Sequence, residues 1–234
     1  MNLIILSLAP VFIIGGYIYF RDKYEKEPFR LLLFAILAGA ISVIPVFFLE
    51  QFLSGFSGFF QGIGAAAWNA FAVAAFSEEL FKYIALYLLI WKSLEFNEKF
   101  DGIVYAVFVS LGFAGVENVL YVMQGGISTG ISRAITAVPA HAIFGITMGF
   151  YFGMAKFYHK QRSKLKIKAL FYPVILHGIY DFILFTGIEW LTVVFACFVG
   201  ILYYSGFKKL KYLSTQSIYN TNYILLNDKF SKST

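Results

Sequence analysis

The sequence predicts an all-α fold, a polytopic membrane bundle of about seven helices. Three observations predict it. The 234 residues are 59% hydrophobic and only 14% charged, where a soluble domain carries roughly 25% charged residues. The mean hydropathy is +0.73. The apolar residues gather into runs of about 20, the length of helix that crosses a bilayer core. Net charge is +6 and the pI about 9.2. In such a chain this reflects cytoplasmic Lys and Arg and gives no ground for a nucleic-acid partner. Cys197 is the single cysteine, so an intramolecular disulfide and a CxxC metal site are excluded.

Residues 1–20 form the first apolar run, without a basic leader or a small-residue cleavage site, and are expected to be a retained helix. A charged turn follows at 21–30, then a second span at 31–53 and a Gly/Ser/Phe loop at 54–64. The third span, 65–91, holds Glu78, Glu79 and Lys82; a polar connection, 92–101, leads to the fourth, 102–123. A Gly/Ser/Thr loop at 124–132 precedes the fifth span, 133–157, and the basic segment 158–168 precedes the sixth, 169–186. After a tight turn at Gly187 the seventh span covers 190–207 and stops at Lys208 and Lys209. One membrane domain is therefore expected over 1–213, with a loosely ordered polar tail over 214–234. Lys and Arg concentrate in alternate loops and the tail. The positive-inside rule then puts the N-terminus outside and the C-terminus in the cytoplasm of a multi-pass cell-membrane protein.

The polar residues inside the spans point to function. An ionisable group in a bilayer costs several kcal/mol, on the order of 3 by insertion scales, and is retained where it faces a protein interior or a wet cavity. Glu78 and Glu79 lie four and three residues before Lys82, so the ammonium can compensate one carboxylate and leave the other for work. Counting about 1.5 Å per residue, Glu117, His141, His177 and Asp181 fall roughly 9–15 Å from the outer ends of their helices. Glu78 joins that layer if its helix enters the bilayer near Asn69. His177 and Asp181 share a helix face, as do Glu117 and Tyr121, with Asn118 beside them. Gly145, after His141, lets another helix approach. Each residue alone has a plain packing reading, Glu79 as an ion-paired support and Asn118 as helix glue; His159, in the basic segment, is expected to be solvated. The conjunction argues for one shared cavity.

One carboxylate and two imidazoles can bind a metal and activate water. The same groups can act without one: a buried Glu as general base, imidazoles at the oxyanion. Either route hydrolyses an amide. The metal candidates are Glu78, His141 and His177, with zinc as the ion. Lys82 stands one turn from Glu78 and disfavours a dication, so the expectation leans to metal-independent water activation.

These segments resemble the PrsW family of intramembrane proteases, within a superfamily that includes type II CAAX prenyl endopeptidases and bacterial immunity proteins. The matching stretches are Asp22 to Pro28, Glu78-Glu79-Leu80-Phe81-Lys82, Glu117-Asn118-Val119-Leu120-Tyr121, His141 to Gly145, and His177 to Asp181. The resemblance implies an all-helical membrane protease that cuts a membrane-anchored, single-span substrate such as an anti-sigma factor. It implies Glu78 as the base, Glu79 paired to Lys82, and His141 and His177 assisting water or the oxyanion, with Asp181 alongside. Lys82 stands one position earlier than the Arg of the prenyl endopeptidases, and Asp181 replaces their Asn, which argues against prenylated substrates. A non-enzymatic immunity or scaffold protein of the same fold is the alternative. A transporter is a third reading, disfavoured because no internal repeat is visible.

Overall fold

The structure is a computed structural model, described here for residues 2–217 and 219. Among these residues it is helical, with no strand. Helix α1 is Leu3–Arg21, capped by the Asn2 side chain, which accepts from the Ile4 amide at 3.0 Å. Helix α2 is Phe29–Ser54 and starts directly after Pro28, whose fixed φ suits a helix start. A short connection leads into a continuous helical rod: α3, Ile63–Ala67, a π-helical stretch, Trp68–Phe76, and α4, Ser77–Ile90. Helix α5 covers Lys99–Ile135 behind a capping box formed by Glu98 and Asp101. The remaining helices are α6, Ala137–Phe157, α7, Arg162–Phe185, and α8, Leu191–Thr215.

Among the described residues, five segments are long and apolar enough to cross a membrane: Leu3–Arg21, Phe29–Phe59, Lys99–Phe157, His159–Phe185 and Leu191–Thr215. Lys99–Phe157 holds both α5 and α6, and the rod that ends in α4 carries Glu78, Glu79 and Lys82 within its apolar run. The all-α membrane bundle is thus borne out.

Helix α5 is the centre. Residues 100–115 are buried throughout, and α1, α2 and α6 pack around them. Close approach of backbones makes this possible. A Cβ on Gly39 of α2 would lie 1.9 Å from the Val109 carbonyl oxygen, and one on Gly112 of α5 would lie 2.0 Å from that of Ile36. Gly145 plays the expected part: its added Cβ would meet Ser110 Oγ at 2.7 Å, so α6 lies against α5 there. Helix α7 in turn packs on α6 and on the π-helical stretch, closing a ring of helices.

Several boundaries differ from expectation. Residues 124–132, expected as a loop, belong to α5. The chain turns at Gly126, φ +72°, a conformation that glycine tolerates, and the helical segment beyond folds back along the helix before it. An added Cβ on Gly130 would meet Leu6 and Val122. Arg133, expected to open the fifth span, is carried by this returning segment, and α6 begins only at Ala137. The basic stretch 158–168 is a connection only as far as Gln161; from Arg162 it is helix. There the long Lys and Arg side chains extend an amphipathic first turn. His159 is exposed, as expected. Most of the predicted tail, 214–234, lies outside the described residues.

At the end of the bundle where the basic loops gather, the turn after α1 is clamped to the start of α5. Asn97 Nδ2 donates to Glu25 at 3.0 Å, and the Tyr105 hydroxyl donates to Glu27. Burial, with the Glu98 charge next, pushes Asp22 up to about 7. Burial likewise pushes Glu27 up to about 7. Asp22 to Pro28 is therefore an anchoring segment, remote from the intramembrane polar groups.

Candidate active site

The ionisable residues singled out in the spans converge, and Lys82 lies at their centre. Its side chain is fully buried. An ammonium has three N–H donors, and here each finds an acceptor: Glu78 Oε2 at 3.0 Å, Glu79 Oε1 at 2.9 Å and His141 Nδ1 at 3.1 Å. The Phe113 ring lies against the same nitrogen, 4.1 Å from its centroid. The i+3 and i+4 spacing on α4 makes the first two contacts; packing of α6 makes the third.

These contacts set the roles of the ring nitrogens. Lysine only donates, so His141 Nδ1 must accept, and the proton of a neutral ring is on Nε2. His141 Nε2 then donates to Glu117 Oε2 at 2.8 Å. His177 is placed similarly on α7: Nδ1 lies 3.0 Å from Glu79 Oε1 and Nε2 3.1 Å from Asp181 Oδ2. Each imidazole is thus oriented by a carboxylate on Nε2 and turns Nδ1 toward the acid pair, with both Nδ1 atoms 4.0 Å from Glu78 Oε2. The two rings stand 5.2 Å apart at 88°, and Phe144 stacks on His177 at 4.8 Å.

The two glutamates part company in their surroundings. Glu78 lines a cavity of about 460 Å³, with Glu117, His141, His177 and Asp181. Glu79, fully buried beside Lys82, is not among the lining residues, and its Oε2 has no hydrogen-bond partner among the described residues. Glu78 meets Lys82 and the two imidazoles through Oε2, and the residue faces the cavity.

Tyr121 lines the cavity and lies beneath the Arg133 guanidinium at 4.1 Å. Asn118 faces away from the cavity: it donates to the Ser7 carbonyl at 2.7 Å and accepts from Arg133 Nε at 2.9 Å. It therefore ties α1 to the returning segment, the glue role. Two charged lining residues were not singled out from the sequence. Arg133 places Nη2 2.9 Å from Glu117 Oε2 and supplies the cavity's fixed cation. Glu50, on α2, lines the same cavity. A signal existed for Glu50, the only acid within its apolar run.

The donor set has metal-site chemistry. Ligand atoms from Glu78, Glu79, His141 and His177, all buried, lie within 4.8 Å of one another. Metal-binding imidazoles usually give their second nitrogen to a carboxylate, as both do here. Five carboxylates (Glu50, Glu78, Glu79, Glu117, Asp181) line or floor the cavity against the fixed cations Lys82 and Arg133. Lys82 donates to three of the four candidate ligand residues, so a bound ion would take over contacts that the ammonium makes here. The residues fit a divalent ion with zinc-like preferences.

The profile of the "PrsW family intramembrane metalloprotease" matches residues 27–206. The chain is 38% identical to Protease PrsW of Geobacillus kaustophilus over 90% of this chain and 91% of that one. It is 36% identical to Protease PrsW of Halalkalibacterium halodurans, covering 90% and 96%. It is 34% identical to Protease PrsW of Bacillus subtilis, covering 88% and 92%. No solved structure matches. With helices that cross a membrane and a buried Glu/His cluster at their centre, the chain belongs to the PrsW family of intramembrane proteases.

Proposed function

We propose that this membrane protease cuts a single-span, membrane-anchored protein, anti-sigma-factor-like in kind, with Glu78 activating the attacking water. One observation carries the reading: Glu78 faces the cavity between two carboxylate-oriented histidines, while Glu79 and Lys82 stand behind it. The cavity mouth is bordered by the exposed apolar side chains of Phe47, Leu184 and Phe185, which suit a lipid-side approach by a substrate span. The anti-sigma-factor class rests on the family resemblance.

In this mechanism the Glu78 carboxylate takes a proton from water as the water oxygen attacks the peptide carbonyl carbon. Charge developing on the carbonyl oxygen is met by Arg133, the cation on the cavity wall, with the His177 ring beside it. The proton on Glu78 passes to the leaving amine as the C–N bond breaks. Glu79 and Lys82 hold Glu78 in place, and Glu117 and Asp181 fix the two imidazoles. A metal bound here would be held by His141, His177 and Glu79, beside the Glu78 base, and would polarise the carbonyl or lower the pKa of water.

We further infer seven crossings with the N-terminus outside, counting the rod that ends in α4 and separating α5 from α6. The support is the gathering of Lys and Arg at one end of the bundle. Cysteines placed at the exposed positions Gly58 and Ser163, in a Cys197→Ser background, are expected to react with an impermeant maleimide from opposite sides. Reaction from one side alone contradicts this topology.

Glu78→Gln keeps the size of the side chain and removes the base. It should abolish cleavage of a co-expressed single-span substrate while the protein still accumulates. Lys82→Ala and Glu79→Gln should also lower the folded yield, since stranding one partner of a buried ion pair costs about 3–5 kcal/mol. Wild-type activity in Glu78→Gln would make Glu78 structural.

Chelation tests the ion. A membrane-permeant chelator should silence the purified protease, with recovery on adding zinc, and His141→Ala should lose the bound metal. Full activity with well under one equivalent of metal would instead leave Glu78 acting alone.

A further inference from the structure

The carboxylates of the site differ in one respect that the proposed mechanism leaves unused. Glu78 and Glu79 have Lys82, Glu117 has Arg133 and His141, and Asp181 has His177, all within 3.1 Å. Glu50 has no hydrogen bond or ion pair among the described residues, although it lines the cavity from α2. Among the charges that bear on it, those of its own sign, Glu78 and Glu117, come ahead of the more weakly felt His177 and Lys82. An anionic side chain so placed costs free energy unless something positive joins it.

Its position says what that could be. Glu50 borders a second cavity of about 620 Å³, which runs toward Gly62 and Asn69. The two cavities share Glu50, Ala74, Tyr121 and Phe185, so they meet along this wall. A polypeptide with its scissile bond at Glu78 and one flank leading out through the second cavity passes Glu50. Along the flank beyond Glu50 no cation is supplied by the protein: the second cavity is lined by no Lys or Arg.

We infer that Glu50 is a specificity residue, which selects substrates carrying Lys or Arg a few positions from the scissile bond on the flank that leaves through the second cavity. The inference rests on the peptidase reading above. An unpartnered carboxylate on a substrate-pocket wall selects a basic side chain by the same physics that operates in trypsin-like proteases. The substrate cation supplies the missing counter-charge in a partly dehydrated setting, where charge pairs contribute most.

The test is a cut-site profile. Purified protein in detergent is incubated with a peptide mixture randomised for sequence, and the products are read by mass spectrometry. Cuts that vanish in Glu78→Gln define the peptidase. Among them, wild type is expected to favour Lys or Arg at one fixed position by about tenfold over Gln. Glu50→Gln should bring that ratio to near unity, and Glu50→Lys should turn the preference to Asp or Glu. Equal loss of basic and neutral substrates in Glu50→Gln, or an unchanged ratio, overturns the inference while the peptidase reading stands. If neither Glu50 variant folds, a wild-type profile without a basic position still overturns it. Absence of any cut that Glu78→Gln removes overturns the peptidase reading and this one with it.

Discussion

The Lys82 ammonium is the constraint on which the site depends. It is buried without access to water, so each of its protons must find an acceptor inside the protein. Two acceptors come from its own helix by spacing, and the third comes from α6. The histidine tautomer, the orientation of Glu78 and the meeting of α4 with α6 follow from that requirement. Removing the ammonium would leave two carboxylates facing each other in a low-dielectric interior, which is why this pair and their lysine stand or fall together.

From this centre the two adjacent glutamates acquire different work. Glu79 points into protein, meets Lys82 and His177, and is sealed from the cavity. Glu78 shares the same lysine but keeps an oxygen for the cavity. Around them Glu117 and Asp181 each orient one imidazole, and Arg133 sets one positive charge on the wall. The polar groups form a connected set, which is the condition under which burial of so many charges is tolerable. Close helix contacts at Gly39, Gly112 and Gly145 supply the rigidity that holds the set in register.

Much of this was legible in the sequence because a bilayer penalises stray charge. Glu78, Glu79, Lys82, Glu117, His141, His177 and Asp181 stood out against apolar runs, and i, i+3 and i, i+4 spacing predicted the Lys82 contacts and the His177–Asp181 pair. What was not legible is where the chain turns back. A Gly/Ser/Thr stretch reads as a loop, and only the positive φ of Gly126 converts it into a returning helix that delivers Arg133 to Glu117. The contact spans residues whose separation in sequence carries no periodic signal. The π-helical stretch before Ser77 was equally hidden, since Ala-rich sequence fits an α-helix as readily. Glu50 lay near the end of its span, where an acid reads as interfacial.

Hydrolysis of a membrane protein's peptide bond by this cluster leaves a cut product in the membrane. The most direct measurement compares membrane-retained protein stubs, by quantitative mass spectrometry, in cells carrying the wild-type chain and cells carrying Glu78→Ala at matched levels. The account predicts at least one single-span protein whose truncated stub is present with wild type and absent with the variant. Identical stub profiles, with both proteins folded in the membrane, would contradict it.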